Sequence, residues 1–165
     1  MESTEINLPP PVRIMVIDNS YTFGGAIKSM EFLVQALQNQ PFHFILVSGQ
    51  PETYLRAHFP KSTVYHFRPK LLWVDNRFYK CIADRFPVRR PCFRKCLNAI
   101  RYLYWLSFVY PRDALTYYRM GKALKVDLVH LNNIFGSQLA GILAAQFLRV
   151  PCIAHLRDFE QPHPI

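Results

Sequence analysis

Three short polar clusters hold the residues best suited to chemistry in this chain: Asp18 to Gly25, Asn132-Asn133 and Arg157-Asp158. Each directly follows an apolar run, the position where a parallel α/β sheet gathers its ligand-binding loops. The first cluster closes on the pair Gly24-Gly25. Paired glycines let a backbone approach a ligand closely, and a helix starting there offers free N–H groups to a phosphate. The same pair also reads as a tight turn whose glycines supply only positive φ. Asp18 is either a ligand contact or a cap for the loop amides. Lys28-Ser29 does not complete a P-loop, because the G-x-x-x-x-G-K-[ST] spacing fails, and G-x-G-x-x-G is missing as well. His130 and His155 stand within apolar runs, where a histidine is ordinarily a hydrogen-bonded core residue. Cys81, Cys92, Cys96 and Cys152 form no CxxC pair. They read as reduced thiols of a cytosolic protein rather than as a metal site.

The elements that must position these clusters follow from apolar periodicity. Val12–Ile17 is a continuous apolar run and reads as a buried parallel strand. Ile27, Met30, Leu33, Val34 and Leu37 recur at helical offsets after it. Phe42–Val47 is a second strand, Glu52–Phe59 a short helix stopped by Pro60, and Ser62–Phe67 a third strand. Arg112–Leu124 reads as a helix, Val126–Leu131 as a fourth strand, Ile134–Arg149 as a helix and Val150–Leu156 as a fifth strand. In the Ile134–Arg149 helix, Leu139, Ile142, Leu143 and Phe147 fall on one side, and Gly136, Ala140, Gly141 and Ala144 allow close packing on the sheet. Right-handed crossovers then give a doubly wound, Rossmann-like α/β sheet in the order 3-2-1-4-5, with Val12–Ile17 central. That order makes the strands carrying the three clusters adjacent. Residues 1–11, with Pro9 to Pro11, read as a disordered lead-in, and 12–165 as one domain.

The net charge of +9 is concentrated in one segment. From Lys61 to Arg101 there are eleven basic and two acidic residues, while the remainder carries nine of each. Within 69–111 the cations interleave with aromatics, among them Trp73, Phe78, Arg89, Arg90, Phe93, Arg94, Lys95 and Trp105. One reading is a helical hairpin packed on the sheet with solvated charges at its rim. The other is an interfacial element on anionic lipid, with Arg89, Arg90, Arg94, Lys95 and Trp105 as contacts. Nucleic acid is not expected as a partner, because no recognised binding motif accompanies the patch. The nine residues Tyr102–Tyr110 are too few to span a bilayer, which takes roughly 20. Met1–Asn7 lacks the features of a signal peptide.

Taken in order, these motifs resemble the N-terminal domain of retaining, nucleotide-sugar-dependent glycosyltransferases of the GT-B fold, family 4. The resemblance rests on the strand and glycine-pair loop Val12–Gly25, on Asp127-Leu128-Val129-His130-Leu131-Asn132, and on Leu148-Arg149-Val150-Pro151-Cys152-Ile153-Ala154-His155-Leu156-Arg157-Asp158. It implies an acceptor-side domain with Gly24 and Gly25 near the donor diphosphate. Asn132 stands where many members carry a histidine lining the acceptor cleft, and it is counted with Asn133, Arg157 and Asp158 among the substrate-binding residues. No catalytic residue is assigned, and no cofactor or metal is expected. The implied partners are a weakly bound nucleotide sugar, a lipid-linked or polymeric glycan acceptor, an anionic membrane surface at the inner face, and a C-terminal donor domain that this chain lacks. The expectation is a partial enzyme, inactive alone. The alternative is a stand-alone α/β module that docks on anionic membrane or on a protein.

Overall fold

A computed structural model describes residues 10–18, 25–67, 91–132 and 138–155. Five parallel strands form one sheet in the order β3-β2-β1-β4-β5. They are β1 (Val12–Asp18), β2 (Phe42–Ser48), β3 (Thr63–His66), β4 (Leu128–Leu131) and β5 (Cys152–Ala154). β1 is central, paired with β2 on one side and β4 on the other. The expected topology holds throughout. The strands at the sheet margins are shorter than their apolar runs, because only the residues with a partner across the ladder are held extended.

Helices cover both faces, as a parallel sheet requires. α1 (Gly25–Ala36) and α2 (Glu52–His58) cover one face. There Ile27, Met30, Val34 and Leu55 pack with Val16, Leu46 and Val64. α4 (Tyr110–Leu124) and α5 (Leu139–Leu148) cover the other. On that side Ala114, Tyr117, Ala140 and Ala144 pack with Met15, Ile17, Val47, Val129 and Leu131. The small residues of α5 do bring it close to the strands. A Cβ on Gly141 would stand 2.5 Å from Leu131 Cδ2 and 3.2 Å from Ile17 Cδ1. Phe147, toward the end of α5, is exposed, its ring centroid 6.3 Å from that of Tyr118 on α4.

α3 (Pro91–Tyr104) enters α4 through five π-helical residues, Trp105–Val109, so the chain is helical without a break from 91 to 124. Pro111 explains the widened turn. A proline inside a helix lacks an N–H, and its ring presses on the carbonyl four residues back, here Ser107. A π turn at that point moves the carbonyl away. The helical hairpin expected to pack on the sheet falls partly outside the described residues; the described part is one continuous helix that meets the core from Val109 onward. Ahead of the π turn, the described side chains of α3 are exposed.

α4 and α5 both end in a left-handed residue that is not glycine, Lys125 (φ 52°) and Arg149 (φ 58°). In each, the next amide reaches back five residues, Val126 N to Gly121 O at 2.9 Å and Val150 N to Ala145 O at 3.1 Å. Both are Schellman endings that turn the chain back toward the sheet.

Candidate functional site

Strand register builds the site. Asp18 is paired with Ser48, and Ser48 with His66. Asn132 lies one step beyond the Ile17–Leu131 pair and donates its backbone N–H to Ile17 O at 3.0 Å. Side chains alternate along a strand. His66, Ser48, Asp18 and Asn132 therefore form a row across the carboxyl edge of four strands, all on the face that α1 covers.

The row is hydrogen-bonded from end to end. Ser48 Oγ donates to Asp18 Oδ2 at 3.2 Å, and Asn132 Nδ2 approaches Asp18 Oδ1 at 3.5 Å. Ser48 Oγ also accepts from the Gln50 amide at 3.2 Å. The Gln50 carbonyl in turn lies 2.6 Å from His66 Nδ1. A carbonyl only accepts, so Nδ1 carries the proton and His66 presents Nε2 outward. Asp18, Ser48, Asn132 and Gln50 are buried, whereas His66 is exposed. An interior carboxylate held by a hydroxyl and an amide is a rigid anchor at the end of the central strand.

Of the sequence-expected site residues, the structure brings Gly25, Asn132 and the end of β1 to this one edge. Gly25 begins α1 with no positive φ, so the tight-turn reading does not apply to it. Among the described residues, a Cβ there would meet nothing within 4 Å. Asn132 is fully buried and turned toward Asp18. His130 is buried on β4, as expected for a core histidine. His155 departs from that expectation. It follows the short strand β5 and is exposed, its ring centroid 6.1 Å from that of His130. Gly24, Asn133, Gly136, Arg157, Asp158, Arg89, Arg90 and most of the basic segment lie outside the described residues. Arg94 is in α3, Lys95 is exposed on it, and Trp105 is half-buried with its ring 5.6 Å from that of Tyr110.

Sequence reasoning missed four groups at this end. Ser48, read as a turn residue after the second strand, and His66, read as an ordinary residue of the third, gained meaning only from register. Gln138 precedes α5, is 1% exposed, and donates from Nε2 to Ile17 O at 3.4 Å, while its buried Oε1 has no partner among the described residues. Asp113 is the fourth. Leu124 O accepts from Arg13 Nη1 at 2.9 Å, which fixes the end of α4 at the amino edge of the sheet. Fifteen helical residues span roughly 22 Å, about the length of β1, so the first turn of α4 reaches the carboxyl edge. There Tyr117 meets Phe67 edge-on at 5.3 Å, and the Phe67 amide donates to Ser48 O at 3.0 Å. Asp113 lies one turn further out. Burial pushes its carboxyl up to about 6, partly opposed by the Arg112 guanidinium. Among the described residues, no cluster of His, Cys, Asp and Glu could hold a metal ion. No described helix is long and apolar enough to cross a membrane.

No protein-family model matches the chain, and no curated protein does. Solved structures do. A glycosyltransferase from Rickettsia africae superposes with a TM-score of 0.54 at 13% identity over 87% of this chain and 29% of that one. Anabaena HepE, solved in complex with UDP and glucose, superposes with a TM-score of 0.52 at 16% identity over 92% of this chain and 31% of that one. The fold is thus a glycosyltransferase-like, Rossmann-like α/β sheet. The chain spans about three tenths of the length of each of these two proteins.

Proposed function

We propose that this chain is the acceptor-side domain of a nucleotide-sugar-dependent, retaining glycosyltransferase of family 4. It works on a lipid-linked or polymeric glycan at the inner face of a membrane. The observation that carries the reading is the buried row Ser48–Asp18–Asn132 beside the start of α1, at the carboxyl edge of a sheet whose fold recurs in a solved glycosyltransferase and in HepE, solved with UDP and glucose. In this reading the row anchors the loop after β1. The loop glycines and the α1 N-terminus then face the donor diphosphate, where free N–H groups and the helix dipole favour an anion. Asn132, Asn133, Arg157 and Asp158 contact substrate in this reading. In transferases of this design, a second domain supplies most donor contacts and closes over the site to exclude water. This chain alone therefore binds donor weakly, no better than about millimolar, near −4 kcal/mol.

The test is titration of residues 1–165 with UDP-glucose and other nucleotide sugars by amide NMR. The expected result is millimolar binding with shifts centred on Gly24, Gly25 and the first turn of α1, and no transfer to lipid-linked acceptors. Shifts elsewhere, or none, would refute the site. Tight binding or turnover by this chain alone would show a self-contained enzyme instead. The exposure of α3 favours a second reading, a stand-alone α/β module that docks on anionic membrane or on a protein.

A further inference from the structure

His66 ends the row at the carboxyl edge and has no role in the reading above. Among the described histidines it stands apart. His43 Nε2 lies 3.0 Å from Thr63 Oγ1, a hydroxyl that both donates and accepts, so its tautomer is not fixed. His58 Nδ1 faces the Glu31 carboxylate at 3.0 Å. His130 is buried, and His155 is exposed with its ring beside that of His130. His66 is exposed and tied to a main-chain carbonyl, Gln50 O, at 2.6 Å.

That tie fixes both the proton and the direction of the ring. Nδ1 must donate, so the neutral imidazole keeps its lone pair on Nε2. The carbonyl is itself held, because Gln50 is 6% exposed and its amide donates to Ser48 Oγ, which donates to Asp18 Oδ2. Among the described residues, Nε2 has no partner. A cap for the Gln50 carbonyl needs only one donor, which a serine or an asparagine also supplies. The imidazole adds an oriented acceptor that faces water. Such a group recognises a donor. Carboxylates and fully ionised phosphates bring it no proton, the net charge of +9 disfavours amine cations, and no metal-holding cluster stands among the described residues. A hydroxyl fits.

We propose that His66 Nε2 accepts a hydrogen bond from a sugar hydroxyl of the acceptor, so that a carbohydrate ring is recognised at the β3 end of this edge. The inference rests on the acceptor-side reading and narrows it, because the part of the acceptor bound here is a sugar and not a lipid chain. Neighbouring strands lie about 4.8 Å apart, which puts His66 roughly 10 Å from Asp18 and the loop that follows it. At that distance the contact sets the register and the choice of acceptor and takes no proton in the transfer itself. An acceptor lacking the hydroxyl would leave Nε2 to water.

Nitrogen-15 imidazole spectra of residues 1–165, recorded in mildly alkaline buffer with glucose, maltotriose or chitotriose as the probe, test it. The spectrum of the free protein should show His66 with its proton on Nδ1. Added sugar should move the Nε2 resonance saturably, whereas acetate should not. His66→Phe should weaken sugar binding about tenfold, the worth of one hydrogen bond, and His66→Gln, which keeps an acceptor, should recover part of that loss. The wild-type tautomer needs no variant and stands as a test even if neither variant folds. A proton on Nε2, sugars that leave His66 unmoved, acetate that moves it equally, or a Phe variant that binds sugar as the wild type does would each overturn the proposal. The donor titration reads Gly25 and the first turn of α1, so the donor site stands or falls separately.

Discussion

Replacing Asp113 with Asn should make the protein more stable at pH 8 and leave it unchanged near pH 4. The folded carboxyl titrates at about 6 instead of 3.8, chiefly because burial penalises its charged form. Among the described residues, no hydrogen bond reaches it. The helix dipole also offers little, since α4 continues directly from the π turn and Asp113 faces no free helix end. A folded-state pKa raised above the unfolded value means that the group's stabilising contribution is complete while it is protonated in both states, below about 3.8. It is lost as pH rises through about 6. At 1.36 kcal/mol per unit the shift corresponds to about 3 kcal/mol. The carboxylate keeps part of its solvent screening, which reduces the expected cost to about 1–2 kcal/mol above pH 7. Asn keeps the shape and removes the charge. For a domain of this size, that gain is a rise of roughly 3–6 °C in Tm at pH 8. Thermal melts of the wild type and D113N at pH 4 and pH 8 measure it. An equal change at both pH values, or destabilisation at pH 8, would refute the argument and show that the carboxylate has a partner in the folded state.

Two further outcomes follow from backbone and packing. Gly141→Ala should destabilise by about 1–3 kcal/mol in urea melts, because the new methyl would press on Leu131 and Ile17 at the helix–sheet contact. Lys125→Gly and Arg149→Gly should each stabilise by about 1 kcal/mol, since both residues hold the left-handed conformation that costs a side chain roughly that much. A lower urea midpoint for either glycine variant would mean that the long side chain makes up for its backbone.

The sequence alone determined the architecture. Five apolar runs separated by helical periods, with polar clusters after the first, fourth and fifth, leave little freedom once crossovers must be right-handed and strands must be buried on both faces. Small residues at Ala140, Gly141 and Ala144 announced a helix pressed on the sheet, and it is there. The row at the carboxyl edge was decided only by tertiary structure. Asp18 was ambiguous between ligand contact and loop cap. Register supplied a third role, because Ser48 and Asn132 come from strands 30 and 114 residues away and meet it only across the ladder. His66, tethered through Gln50, is joined to the same row in the same way. The titration of Asp113 depended on burial under packing between distant elements, which no local pattern encodes. The aromatic, basic segment showed the composition of a surface element, yet which of its side chains face water was set by the π turn before Pro111 and by how the helix sits on the sheet. Periodicity fixes which elements form and which face each presents. Register, burial and the electrostatics that follow from them exist only once the strands have paired.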